Sequence, residues 1–204
     1  MKKEFESFIS QCPLIAILRG ITTEEAPSVS DTLYEAGFRL MEIPLNSPNA
    51  FESIAKASAV NGDRMMVGAG TVLTTDDVDQ AHAAGARFII SPNTYEPVIR
   101  RTRELGMLSM PGFFTASEAF DAMRAGADYL KLFPARLGVT YVKDLKAVVK
   151  APIFAVGGVN LENLPSLLKE CMGAGIGGAL YKQGKPLEKV AEDARALVKA
   201  CSNG

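Results

Sequence analysis

The chain of 204 residues carries 22 Lys+Arg against 23 Asp+Glu and a single histidine. That balance leaves no basic excess to hold nucleic acid or an acidic membrane surface by charge, and one imidazole cannot build a catalytic zinc site or a facial iron triad. With 48% hydrophobic and 22% charged residues, the composition is that of a globular protein rather than a disordered one.

The length suits one domain over residues 1–204, large enough to fold without disulfides or a structural metal. Cys12, Cys171 and Cys201 are scattered and form no CxxC pair, which fits a reducing compartment. The opening MKKEFESFISQC is interrupted by Glu4 and Glu6 and does not read as a signal peptide. No apolar run approaches the roughly 18 residues of a membrane span. A cytoplasmic location is expected.

Taken in chain order, a helix near 2–11 precedes a strand near 14–19. Helices near 24–36, 48–60, 75–84 and 94–105 then alternate with strands near 39–43, 65–69, 87–91 and 107–110. Helices near 116–125, 139–149 and 161–170 follow, separated by strands near 128–133, 152–156 and 174–179, and a helix near 186–201 closes the chain. One phrase recurs: a helix-like stretch, a glycine, a short apolar run, then proline or glycine. It is seen in YEAGFRLMEIP (34–44), HAAGARFIISP (82–92), RELGMLSMPG (103–112) and RAGADYLKLFP (124–134). Glycine suits the left-handed position that closes a helix, and proline ends a strand because it cannot donate to the ladder. Thr22 and Thr23, Thr75, and Thr115 with Glu118 three positions on supply helix-start signals.

Alternation at this spacing implies βαβ units and a parallel sheet. Eight strands, each followed by a helix, match the count of a compact (β/α)8 TIM barrel with an extra N-terminal helix. An open doubly wound sheet of six strands would leave two unplaced, and no GxGxxG follows the first strand.

A barrel of this kind carries its chemistry at the C-terminal ends of the strands, so the polar residues there are the candidates. On the sixth strand Tyr129, Lys131 and Phe133 share the inward parity, with Leu130 and Leu132 outward. An amine bracketed by apolar residues loses proton affinity, and a neutral lysine can form an imine with a ketone. On the second strand Glu42 shares the inward face with Leu40, placing an acid–base group beside that amine; an ion pair with Lys131 or Arg19 is the structural alternative. Arg19, in phase with Ile15 and Ile17, suits a carboxylate or phosphate, or else reaches solvent. Thr71 shares parity with Val67 and Ala69, and its hydroxyl is expected at the mouth. Gly157-Gly158 and Gly177-Gly178 close the last two strands, where barrels bind phosphate through backbone N–H groups. His82, amid alanines on a surface helix, reads as structural. Arg100-Arg101-Thr102-Arg103 reads as a solvated stretch after a helix, and Cys171 and Cys201 read as helix residues without an activating neighbour.

PLIAILRG (13–20), EIPLNSP (42–48), VGAGTVL (67–73), SPN (91–93), LKLFPA (130–135) and FAVGGV (154–159), in this order, resemble the 2-keto-3-deoxy-6-phosphogluconate / 2-keto-3-deoxy-6-phosphogalactonate aldolases. The phosphogalactonate branch is the nearer, because Leu45-Asn46-Ser47 stands where the gluconate branch has LRT. The resemblance implies a class I aldolase needing no metal or other cofactor. It would be a homotrimer of (β/α)8 barrels releasing pyruvate and glyceraldehyde 3-phosphate from its sugar-acid phosphate. It further implies Lys131 as Schiff-base residue and Glu42 as proton shuttle. Arg19 and Thr71 would contact the substrate's carboxylate end or hydroxyls, Pro92 and Phe133 would border the pyruvyl group, and Gly157, Gly158, Gly177 and Gly178 would cradle phosphate. The family's serine after the last strand's glycine is missing: Gly178-Ala179 stands there. Two rivals follow from the same residues: a sugar-phosphate isomerase or epimerase with Glu42 as base, and a barrel that only binds sugar acids.

Overall fold

The computed structural model describes residues 1–201. Helix α1 (Lys2–Gln11) leads into β1 (Leu14–Ile17), α2 (Ala26–Ala36), β2 (Leu40–Pro44), α3 (Ala50–Asn61) and β3 (Met66–Gly70). Next come α4 (Thr75–Ala83), β4 (Phe88–Ile90), α5 (Glu96–Glu104), β5 (Leu108–Met110), β6 (Gly112–Phe113), α6 (Ala116–Ala125) and β7 (Leu130–Leu132). A short 3₁₀ turn (Ala135–Leu137), α7 (Gly138–Val148), β8 (Ile153–Val156), α8 (Leu164–Leu168), β9 (Gly173–Ile176) and α9 (Leu187–Cys201) complete the described chain.

All ladder pairs are parallel, in the order β5-β4-β3-β2-β1-β9-β8-β7-β6. The strand expected at 107–110 runs on past Pro111 as a second segment, so the sequence of strands numbers nine rather than eight. Proline has no N–H to give the ladder; at Pro111 the chain leaves β4 and turns to pair with β7. Its carbonyl still accepts from the Lys131 N–H at 2.9 Å. β5 and β6 are consecutive in the chain, so the two ends of the sheet meet there and the barrel is nearly closed.

Two apolar layers follow from strand parity. Met41, Ile43, Leu130 and Leu132 face outward into the cluster shared with the helices, as alternation requires. Ile15, Leu40, Met66, Phe88, Ile90, Leu108, Met110, Tyr129 and Phe154 fill the barrel interior, joined from below by Phe5 and Ile9 of α1. The Phe5 ring is fully buried, with ring centroids 4.7 Å from Tyr129, 5.8 Å from Phe88 and 6.1 Å from Phe154. The N-terminal helix is therefore the floor of the barrel, and it closes the interior at that end.

Four local expectations are corrected. The cap of α4 is Thr74, not Thr75; its hydroxyl accepts from the Asp77 N–H while the Asp77 carboxylate accepts from the Thr74 N–H. That is one residue earlier, because the box spans three positions. Arg100–Arg103 lies inside α5 rather than after it: Thr102 is buried, and Arg100 and Arg101 pair with Glu96, Asp79 and Glu104. Cys171 lies beyond α8, in the bend before β9, where it is buried. The last strand stops at Ile176, so Gly177-Gly178 begins the loop. His82 sits exposed on α4.

Candidate active site

Arg19, Glu42, Thr71, Pro92, Lys131, Phe133, Gly157, Gly158, Gly177 and Gly178 all line one cavity of about 880 Å³ at the C-terminal end of the barrel. Each arrives there for a local reason. β2 pairs with β1 through Ile17↔Glu42 and with β3 through Glu42↔Gly68, and the Leu18 N–H donates to the Glu42 carbonyl at 3.0 Å. Lys131 is held by Gly112↔Lys131 and Lys131↔Phe154. Both side chains sit one step above the apolar interior, on the same inward parity as Leu40 and Tyr129.

The pair is deeply buried: Glu42 is 1% and Lys131 5% exposed. Removing a carboxylate from water is costly unless it is paired, and Glu42 Oε2 has no hydrogen-bond partner. Burial pushes the Glu42 carboxyl up to about 7, against the downward pull of the Lys131 and Arg19 charges. Burial drives the Lys131 amine below its ordinary value, opposed by the Glu42 charge and assisted by the Arg19 cation. The Lys131 Nζ lies 4.8 Å from the centroid of the Phe133 ring. Neither group is neutralised by a direct ion pair among the described residues, so the ion-pair alternative for Glu42 is not what the geometry shows.

Room for the carboxylate comes from β3. A Cβ on Gly70 would lie 1.8 Å from Glu42 Oε2, and one on Gly68 would lie 2.5 Å from the Phe88 ring. These two glycines follow Met66 on the inward face of β3, whereas Val67 and Ala69 face the helices. The expectation for Thr71 thus reached the right place by the wrong parity. Continued alternation would turn Thr71 outward with Val67 and Ala69; instead its φ of 56° breaks the alternation and brings it to the cavity wall. A left-handed threonine is strained by about 1–3 kcal/mol, and such outliers concentrate at functional sites.

Arg19 extends beyond β1, and its Nη1 donates to Asn46 Oδ1 at 2.6 Å. Ser47 Oγ accepts from the Gly20 N–H at 2.9 Å. The Leu45-Asn46-Ser47 segment therefore braces the end of the first strand. Gly157 and Gly158 take φ of 93° and 80°, the region glycine favours. Gly177 and Gly178 do not, and a Cβ there would meet only ordinary contacts at 3.8 Å or more. Among the described residues no group of three or more His, Cys, Asp or Glu is placed to hold a metal, and no helix is long and apolar enough to cross a membrane.

Sequence reasoning missed Arg136, in the 3₁₀ turn after β7, and Lys182, in the loop after β9; both line the cavity. Arg136 follows LKLFPA directly and Lys182 stands four residues after Gly178, but no local pattern separates them from ordinary surface cations. Tyr181 also lines the cavity and donates to Glu25 Oε2 at 3.1 Å.

Comparison with known proteins adds to this geometry. The family model described as KDPG and KHG aldolase matches residues 5–198. The 2-dehydro-3-deoxy-6-phosphogalactonate aldolase of Escherichia coli (strain K12) is 47% identical over 195 residues, 94% of this chain and 95% of the relative. A probable 2-dehydro-3-deoxy-6-phosphogalactonate aldolase of Rhizobium meliloti (strain 1021) is 43% identical over 192 residues, 92% and 91% of the two chains. A solved structure titled native KDPGal superposes with a TM-score of 0.91 at 46% identity, covering 94% of this chain and 95% of its own.

Proposed function

The chain belongs to the KDPG and KHG aldolase family, carbon–carbon lyases, and from that premise we propose that it cleaves 2-keto-3-deoxy-6-phosphogalactonate reversibly to pyruvate and glyceraldehyde 3-phosphate through an imine on Lys131. The observation that carries the reading is one amine and one carboxyl, both buried and neither ion-paired among the described residues, on the wall of a single cavity.

Each step has a group to perform it. The lone pair of neutral Lys131 adds to the C2 carbonyl, and Glu42 relays protons, through water where needed, so that the carbinolamine loses hydroxide as water. The resulting iminium accepts the electron pair of the C3–C4 bond as it breaks. The C4 hydroxyl proton passes to Glu42, and glyceraldehyde 3-phosphate leaves. Glu42 then returns a proton to C3 of the enamine, and hydrolysis of the imine frees pyruvate and Lys131. A carboxyl held near 7 is suited to both directions of transfer at neutral pH. Arg19, braced by Asn46, meets the carboxylate end, with Thr71 close to the substrate hydroxyls and Pro92 and Phe133 against the pyruvyl group. Gly157, Gly158, Gly177 and Gly178 give the phosphate close access to the backbone. The assembly that goes with this reading is a cytoplasmic homotrimer.

Borohydride reduction in the presence of pyruvate should add a stable adduct to Lys131, located by peptide mass mapping, and Lys131→Ala should lose both the adduct and pyruvate release in a lactate-dehydrogenase-coupled assay. The galactonate epimer should be cleaved in preference to the gluconate epimer. Turnover that survives borohydride with pyruvate would overturn the imine scheme and favour an enediolate isomerase.

A further inference from the structure

The cavity is unevenly charged. Its lining contains Arg19, Lys131, Arg136 and Lys182 against a single carboxylate, Glu42. Arg19 and Glu42 belong to the first two strands, whereas Arg136 and Lys182 stand beside the glycines that follow β8 and β9. A Cβ on Gly158 would lie 3.3 Å from Arg136 Cγ, and one on Gly178 would lie 3.8 Å from Lys182 Cε. The two aliphatic stems therefore flank the two diglycine corners.

Their backbones are well anchored while their charged heads are free. Ala135, one residue before Arg136, is buried, and its carbonyl accepts from the Gly138 N–H. After β9 the N–H groups of Leu180 and Tyr181 both donate to the Gly177 carbonyl, at 2.8 and 3.0 Å, and the Tyr181 hydroxyl reaches Glu25. Three residues beyond Lys182, Lys185 is consumed by Asp193 at 2.5 Å and the Leu180 carbonyl at 2.6 Å. Arg136 and Lys182 have no such partner among the described residues. Two exposed cations without an acidic partner among the described residues, on the wall of one cavity with their stems beside glycine backbone, suit a compact dianion.

Resting on the aldolase reading above, the geometry points to Arg136 and Lys182 as the charged clamp for the substrate's phosphate ester, in a chain where Gly178 offers no hydroxyl. Guanidinium and ammonium then supply by charge what a short hydroxyl side chain would supply by a neutral hydrogen bond, and charge-assisted bonds are about twice as strong. The clamp makes the enzyme selective for the phosphorylated aldehyde.

The test compares condensation of pyruvate with glyceraldehyde 3-phosphate and with glyceraldehyde in Arg136→Gln, Lys182→Gln and the double variant. Each single variant is expected to lower the ratio of kcat/KM for the phosphorylated over the plain aldehyde about tenfold, with the loss in KM for glyceraldehyde 3-phosphate. Inhibition by inorganic phosphate should weaken in parallel. Arg136→Lys should recover part of the loss, and the preference in the parent enzyme should shrink with added KCl. Lys169→Gln, exposed at the opposite end of the barrel, controls for loss of a surface charge and should leave the ratio unaltered. An unaltered ratio in both Arg136→Gln and Lys182→Gln would overturn the clamp while leaving the imine on Lys131 intact; a parent enzyme that fails to trap pyruvate would instead sink the aldolase reading.

Discussion

Replacing Glu42 by glutamine tests the electrostatics of the site through stability rather than turnover. A carboxyl whose pKa rises from 4.5 when exposed to about 7 when folded destabilises the native state by about 3 kcal/mol once both states are ionised, at about 1.4 kcal/mol per tenfold. The sign follows from proton counting. Below pH 4.5 both states hold the proton, and the group does not affect the folding balance. Between 4.5 and 7 the unfolded chain releases it and the native chain does not, so stability falls as pH rises. Above 7 the loss is complete. Glu42→Gln removes this dependence and keeps nearly the same shape. Urea unfolding of both proteins at pH 4 and pH 8 should therefore show the variant gaining about 3 kcal/mol on the parent between the two pH values, while aldol cleavage is lost. A difference in stability that does not move with pH would refute the claim that burial of Glu42 outweighs the Lys131 and Arg19 charges.

Two further substitutions probe the frame around it. Gly70→Ala places a methyl group 1.8 Å from the present position of Glu42 Oε2, so the carboxylate must shift; kcat should fall about a hundredfold with far-UV circular dichroism unchanged, and parental kcat would show that Glu42 needs no fixed position. Phe5→Ala empties the floor of the barrel, where the ring is fully buried against Tyr129, Phe88 and Phe154. It should cost about 3–5 kcal/mol by denaturant unfolding, and a loss below about 1 kcal/mol would mean that α1 is not part of the core.

Much of this was already legible in local pattern. The glycine that ends a helix, the proline that ends a strand and the two-residue alternation between them act within a few residues, so they can be read directly from the sequence. They place the strands, the helices and the inward parity of Glu42 and Lys131. Parity holds only while the strand stays regular, and that is where sequence reading was misled. Thr71 counts as outward by alternation and becomes a wall of the cavity through a left-handed backbone, and the strand expected at 107–110 runs on past Pro111 into a second segment with a different neighbour. The role of Gly70 shows only when Glu42, from a different strand, is seen to occupy the space of its missing side chain.

Arg136 and Lys182 lie beyond the reach of pattern altogether. On paper they are two surface cations among 22 basic residues. They share a cavity because parallel pairing of β7 with β8 and of β8 with β9 sets the three strand ends side by side, and among the described residues no acid neutralises them as Asp193 does Lys185. By itself the sequence determined which segments form the barrel and which two buried groups are electrostatically out of place. Tertiary structure alone decided which charges face one another, since charge complementarity depends on distance and burial rather than on order along the chain.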